Sequence, residues 1–239
     1  MATAPTPKTN KLLASLATVD YKRLVARLEL VRVERGHVVY GNGESSKYVY
    51  FPADCIISKL SVLENGEATE IAMVGREGVV GVAMFMSGIT MPSRAVIQST
   101  GHAWRIAARA IREEFRRGGS TQDLLLRHTQ ALITQMAQTA ACYRHHSLEQ
   151  QLCRWLLLCM DRLPSNELGM TQQAIAGTLG VRREGVTEAA GRLQGKGAIQ
   201  YSRGRIQVVD RRQLEKCACE CYLVVRKELQ RLLPGSDPD

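Results

Sequence analysis

The sequence predicts an α+β fold with a strand-rich N-terminal half and a helical C-terminal half, on three observations. Short apolar runs separated by turn residues fill positions 31–106. Apolar and small residues then step by fours and threes from Leu125 to Tyr143. Two short helical patterns flank Gly180 and lead into an alternating segment with Ser202-Arg203-Gly204-Arg205 at its tip. These read in turn as a small β-roll, a long helix with a coiled-coil spacing, and a helix-turn-helix closed by a hairpin.

With 239 residues, 45% of them hydrophobic, the chain can hold two domains with their own cores, and 5% aromatics makes those cores aliphatic. No apolar run approaches the roughly 20 residues of a membrane span. The opening MATAPTPKTNK lacks the apolar core of a signal peptide, so a cytoplasmic protein with no membrane partner is expected. Seven scattered cysteines, an odd number, suit reduced thiols better than a secreted disulfide framework.

In chain order, Leu13, Leu16, Leu24 and Leu28 mark a short helical opening over 12–30. Strands are expected at 38–40, 48–51, 56–63, 68–74, 95–99 and 103–106, broken by Gly41-Asn42-Gly43, Pro52, Glu64-Asn65-Gly66 and Gly75. After a helical turn at 109–116, a long helix starts near Ser120. Its residues Leu125, Thr129, Leu132, Met136, Thr139 and Tyr143 have the spacing of a seam between two copies. Leu125, Leu132, Met136 and Tyr143 are therefore the expected dimer contacts, with Leu126, Ile133, Ala137 and Ala140 turned to the roll. His145 and His146 interrupt the pattern, and Ser147 with Gln150 forms a capping box for a helix through Leu163, which places a hinge at 144–147.

Thr171 caps the next helix, Ile175 and Leu179 face inward, and Gly180 supplies the positive φ of a tight turn. The second helix, 182–194, buries Val186, Ala189, Ala190 and Leu193 and leaves its polar first turn free to enter a groove. Ile199 and Tyr201 then pair with Ile206 and Val208. From 171 to 212 there are eight basic residues against three acidic ones, a local cluster of the kind that phosphate contacts require. Asp210 caps a last helix with Leu214, Ala218, Cys221, Val225 and Leu232 as its buried stripe. On one intact helix Cys217 and Cys221 share a face and Cys219 points away, so no metal site is expected. A redox- or metal-responsive role for these three cysteines is the alternative. His37, His102 and His128 stand alone, and no HExxH, phosphate-binding GxxxxGK or G-x-S-x-G turn is present, so no enzyme is expected.

Roll, long helix, hinge and winged helix-turn-helix in this order resemble the Crp/Fnr family of bacterial transcription regulators over nearly the whole chain. The resemblance is most specific at Thr171-Gln172-Gln173, Ile175, Gly180 and Arg183-Glu184-Gly185-Val186, with roll turns at 36–44, Asn65-Gly66 and Gly78-Val79-Val80-Gly81. It implies a sensor β-roll (a double-stranded β-helix) at 1–120, a dimerisation helix and hinge at 121–146, and a winged helix-turn-helix at 147–239. A homodimer on a palindromic operator in double-stranded DNA, acting with RNA polymerase, is the implied assembly. Arg183 and Glu184 would read guanine and cytosine edges, while Thr171, Gln173, Arg182, Thr187, Ser202 and Arg203 would hold the DNA, mostly at phosphates. Glu188 departs from the cyclic-AMP receptor protein, which is basic there, so operator preference should differ. Cyclic-nucleotide binders of the family carry a Gly-Glu pair and an Arg-Ser or Arg-Ala pair. Here Gly81 precedes Val82, and Ser93-Arg94-Ala95 keeps an arginine. Gly81, Val82, Ser93 and Arg94 are thus the candidate effector pocket, and Val82 cannot accept a ribose hydroxyl. Ordinary cyclic AMP is not expected as the effector, a cyclic-nucleotide-activated regulator being the alternative. The first cysteine is Cys55, so the family's N-terminal iron-sulfur cluster is not expected either, and no cofactor is.

Overall fold

The computed structural model describes residues 4–86 and 90–233. A 3-10 turn at Pro7–Thr9 leads to α1 (Lys11–Ala14) and α2 (Thr18–Val25). Asn10 pins this opening to the roll: its side-chain oxygen accepts from the Leu13 amide, and Nδ2 donates to the carbonyls of Pro52 and Gly78, both at 2.9 Å. Among the described residues seven strands follow: β1 (Glu29–Val33), β2 (Val38–Tyr40), β3 (Tyr48–Pro52), β4 (Ile57–Val62), β5 (Ala68–Val74), β6 (Arg94–Ile97) and β7 (Gly101–Ala107). They form two antiparallel sheets, β1-β7-β3 and β2-β6-β4-β5. Alternate residues of both sheets, among them Val49, Phe51, Ile57, Val74, Ala95, Ile97 and Ile106, meet in one core. The fold is the expected roll, with β1 added as a strand that begins inside the segment whose leucine spacing predicts helix.

Next come α3 (Ala108–Arg117), the 27-residue α4 (Gly119–His145) and α5 (Leu148–Met160), whose capping box of Ser147 and Gln150 is formed as expected. The C-terminal part holds β8 (Glu167–Leu168), α6 (Gln172–Leu179), α7 (Arg183–Gly195), β9 (Ile199–Ser202), β10 (Arg205–Val208), α8 (Arg211–Cys217) and α9 (Glu220–Leu232). Its small sheet has the order β8-β10-β9. Its core of Leu152, Trp155, Ile175, Val186, Leu193, Ile206 and Leu214 is continuous with Ile56 and Met73 of the roll. Polar pairs fix the same joint. Trp155 Nε1 donates to Glu70 Oε1 at 3.1 Å, and Arg162 Nε donates to Glu77 Oε1 at 2.8 Å. Burial pushes the Glu70 carboxyl up to about 7, against hydrogen bonds from Ser58 and Trp155.

Two expectations are corrected. The face of α4 assigned to a second copy is used within the chain: Leu125 and Leu132 are 1% and 4% exposed in the roll core, and Met136 packs against it. Tyr143 donates to the Glu70 carbonyl at 3.2 Å. Polar residues on the same side explain the choice. Gln135 bonds both the amide and the carbonyl of Met73 at 3.0 Å, and His128 Nε2 meets Val79, so this face completes strand backbone that a second helix could not. The other face is open, with Leu126 and Ile133 45% and 51% exposed and Ala137 and Ala140 exposed beside them. The second correction concerns the last helix, which is two. Ala218 and Cys219 are extended, with ψ of 156° and 164°, and the break turns Cys219 and Cys221 toward Cys142 and His146.

Candidate nucleic-acid interface

The helix-turn-helix is built by local chemistry. Thr171 Oγ1 accepts from the Ala174 amide at 3.2 Å and starts α6, and Ile175, Ala176 and Leu179 bury its inner side. Gly180 closes the turn at φ 68°, a conformation costly for residues with a Cβ. A side chain there would also meet Thr69 of β5, whose Oγ1 lies 2.6 Å from the position of a Cβ. Arg182 is extended at the N-cap of α7 and makes no capping bond, so the first amides of that helix receive none from it. Such an uncapped N-terminus favours anions.

The inner face of α7 holds Val186, Ala189, Ala190 and Leu193, all buried. Its outer face exposes Arg182, Arg183, Glu184, Thr187, Glu188 and Gly191. Gln173 is exposed on α6, while the Thr187 hydroxyl lies 2.7 Å from Gln172 Oε1 and 3.1 Å from the Arg183 carbonyl. Thr187 must give up an internal bond to donate to a phosphate. The β9–β10 hairpin turns through Arg203 at φ 48° and Gly204 at φ 77°. Two consecutive positive φ values define a tight primed turn. It holds exposed Ser202 and Arg203 at the tip, and Gly204 sits against Thr171 at the start of α6. The wing tip and the helix-turn-helix thus form one surface.

Ion pairs sort the basic residues of this region. Arg192 and Lys196 both bind Glu149 of α5, at 2.8 and 2.5 Å, and the Lys196 ammonium holds the Glu149 carboxyl below its usual range. Arg205 pairs with Glu167 at 3.2 Å and Arg211 with Asp161 at 2.5 Å. Arg182, Arg183, Arg203 and Arg212 have no ion-pair partner among the described residues. The first three lie on the first turn of α7 and on the wing tip, so the charge available to an external anion is concentrated there.

In the roll, Gly81 adopts φ 113° and leads into a 3-10 turn, Val82–Met84. Val82 packs on the core beside buried Met84 and Phe85. Ser93 is buried, and Arg94 is half-buried on β6 opposite Leu60 of β4. Tyr40, buried near Ser93, has its hydroxyl pushed up to about 12 by desolvation. The carboxylate that would accept a ribose hydroxyl has no counterpart at Val82. Residues 87–89 of the intervening loop lie outside the described residues.

A roll of this kind carrying a helix-turn-helix defines a two-domain transcription regulator, and comparison with known proteins agrees. Residues 30–117 match the cyclic nucleotide-binding domain family, and residues 150–217 match the Crp-like helix-turn-helix domain family. The global nitrogen regulator of Synechococcus elongatus is 24% identical over 190 residues, 76% of this chain and 86% of that protein. FixK2 from Bradyrhizobium japonicum has a TM-score of 0.66 at 17% identity, covering 80% of this chain and 98% of its own. A CRP-family transcriptional regulator from Thermus thermophilus also has a TM-score of 0.66, at 18% identity, with 79% and 96% covered. The two halves of the chain thus carry the two domains of a Crp/Fnr-type transcription regulator, and the comparisons point to regulators rather than to enzymes. No helix among the described residues is long and apolar enough to cross a membrane.

Proposed function

We propose that this regulator works in the cytoplasm as a homodimer that reads a palindromic operator through the first turn of α7 and acts there on RNA polymerase. The observation that carries the reading is the exposed, unpaired set Arg182, Arg183 and Arg203 around an uncapped helix N-terminus. Arg183 donates to a guanine edge and Glu184 accepts from a cytosine amino group. Arg182, Thr171, Gln173, Thr187, Ser202 and Arg203 hold phosphates or the groove wall. Residues 1–120 form the sensor and 147–239 the reading head. Between them, 121–146 places two heads about 34 Å apart, one turn of B-DNA. The contact between copies is the open face of α4, with Leu126, Ile133, Ala137 and Ala140 at helical steps of seven, four and three.

Gly81, Val82, Ser93 and Arg94 border the effector region, and valine at 82 together with the filled core speaks against cyclic AMP as its ligand. The test is selection of sites from a randomised DNA pool by reduced protein without nucleotide, repeated for Arg183→Ala and Arg203→Ala. A palindrome with half-sites one turn apart is expected. Arg183→Ala should lose preference at one base pair, worth about 1–3 kcal/mol, whereas Arg203→Ala weakens all sequences alike and lowers the salt slope by about 1. Uniform weakening by both variants refutes the division of roles.

A further inference from the structure

Four side chains that the DNA-binding surface does not use meet where the long helix ends. Cys142 lies in the last turn of α4 and His146 is its C-cap, while Cys219 is the N-cap of α9 and Cys221 lies in its first turn. The three sulfurs and one imidazole nitrogen all lie within 4.8 Å of one another. Cys142 Sγ is 3.5 Å from Cys219 Sγ, and Cys221 Sγ is 3.7 Å from His146 Nδ1. A tetrahedral zinc ion with bonds of about 2.3 Å to sulfur and 2.0–2.1 Å to nitrogen separates its ligands by about 3.8 Å for two sulfurs and about 3.6 Å for sulfur and nitrogen. The spacing is that of ligands around one ion. A polynuclear cluster would have to fit its irons and sulfides between thiolates that already touch.

Two further features support the match. His146 presents Nδ1 to the sulfurs, and its Nε2 lies 3.3 Å from Glu220 Oε2. A metal-bound histidine commonly donates its second ring N–H to a carboxylate, which fixes the ring and strengthens the ligand. Arg154, itself 3% exposed, donates from Nη2 to Thr139 Oγ1 at 2.8 Å on the same stretch of α4, and its Nε has no hydrogen-bond partner among the described residues. Three thiolates and a neutral imidazole around a divalent ion carry one net negative charge, which a buried guanidinium offsets.

We infer that Cys142, His146, Cys219 and Cys221 bind a single divalent ion of the zinc type in a closed tetrahedral site. All four positions are filled by protein groups and three of them are buried, so the ion is structural and has no open position for substrate. It clamps the end of α4 to the start of α9 across 77 residues of sequence, at the break between α4 and α5. If the operator-reading function stands, occupancy of the site fixes the angle at which the reading head leaves the long helix. Cys217, the last residue of α8, is outside the set.

The test is metal analysis of the full chain purified under reductant, with about one zinc per chain expected. Cys219→Ser should lose the ion and Cys217→Ser should keep it. Cobalt added to the metal-free protein should give the thiolate charge-transfer and ligand-field bands of a tetrahedral site. Because a cysteine variant can fail to fold, Glu220→Gln supplies an independent reading: it keeps every ligand and should weaken zinc affinity roughly 10–100-fold in competition with a chelator. Protein that neither carries metal nor takes up cobalt overturns the inference. So does iron with acid-labile sulfide, or a Cys142–Cys219 disulfide in freshly isolated protein. Loss of operator selection with the ion retained would instead refute the DNA reading and leave the site standing.

Discussion

Replacing Arg162 by methionine tests the joint between roll and reading head. Arg162 is 1% exposed, and its guanidinium donates to Glu77 Oε1 and to the Leu158 carbonyl, each at 2.8 Å. Glu77 is 6% exposed, and it also accepts from the Gly75 amide at 3.2 Å. Removing the arginine takes the buried counter-charge away from a buried carboxylate, a change that costs about 3–5 kcal/mol. At 1.4 kcal/mol per decade that is roughly two to three and a half decades in the folding equilibrium. Adding Glu77→Gln removes the uncompensated charge, and the double variant should recover most of the loss, because a buried pair exchanged for neutral groups is close to neutral overall. The assay is urea unfolding followed by far-UV circular dichroism and by the fluorescence of Trp155, which sits in the same joint. A cost under about 1 kcal/mol for Arg162→Met would refute the reasoning, as this is the scale of an exposed ion pair. Failure of Glu77→Gln to restore any stability would refute it equally.

Two other perturbations separate faces and protonation states. Ile133→Glu places a charge on the open face of α4 at a side chain 51% exposed, so sedimentation should show monomers while chain stability changes by no more than about 0.5 kcal/mol. A persistent dimer would move the interface elsewhere. Glu70 is held up to about 7 by burial, above the 4.5 of an ordinary glutamate. The folded state therefore retains a proton that the unfolded chain gives up. The stability this adds is complete below about pH 4.5 and is lost as pH rises through about 7. Glu70→Gln should flatten thermal unfolding against pH in that window, and an unchanged slope would show that Glu70 is not the group responsible.

The helix-turn-helix was legible in the sequence because its signals are local: the Thr171 cap, Gly180 in the left-handed region and the buried set from Ile175 to Leu193 follow from spacing alone. The sides of α4 were not. Steps of four and three describe a helix packed on a roll as well as one packed on a second copy. The residues that decide are His128 and Gln135, which the apolar pattern passes over and which bond the backbone at Val79 and Met73. The cysteine pattern failed for a related reason. No glycine or proline marks the break at Ala218, so the stretch from Cys217 to Cys221 reads as one helix, and only Cys142 and His146, more than 70 residues earlier, give the turn a purpose.

The first failure lies on α4 and the second, at the Ala218 break, leads back to its last turn, so together they define the place of α4 in the chain. Its inner face holds β5 through Met73. The neighbouring residues of β5 hold the reading head, Glu70 under Trp155 and Thr69 under Gly180. The last turn of α4 reaches α9 through the cysteines, and its outer face stays open to a second copy. Any rotation of the reading head against the roll must therefore break the Glu70–Trp155 and Glu77–Arg162 contacts. Contiguity of this kind carries a signal only if the element has two arrangements. The Glu70→Gln and Glu220→Gln variants each loosen one attachment while leaving the Arg162–Glu77 pair and the exposed residues of α7 unchanged. A change in operator affinity in either variant would identify the attachment through which the head is set.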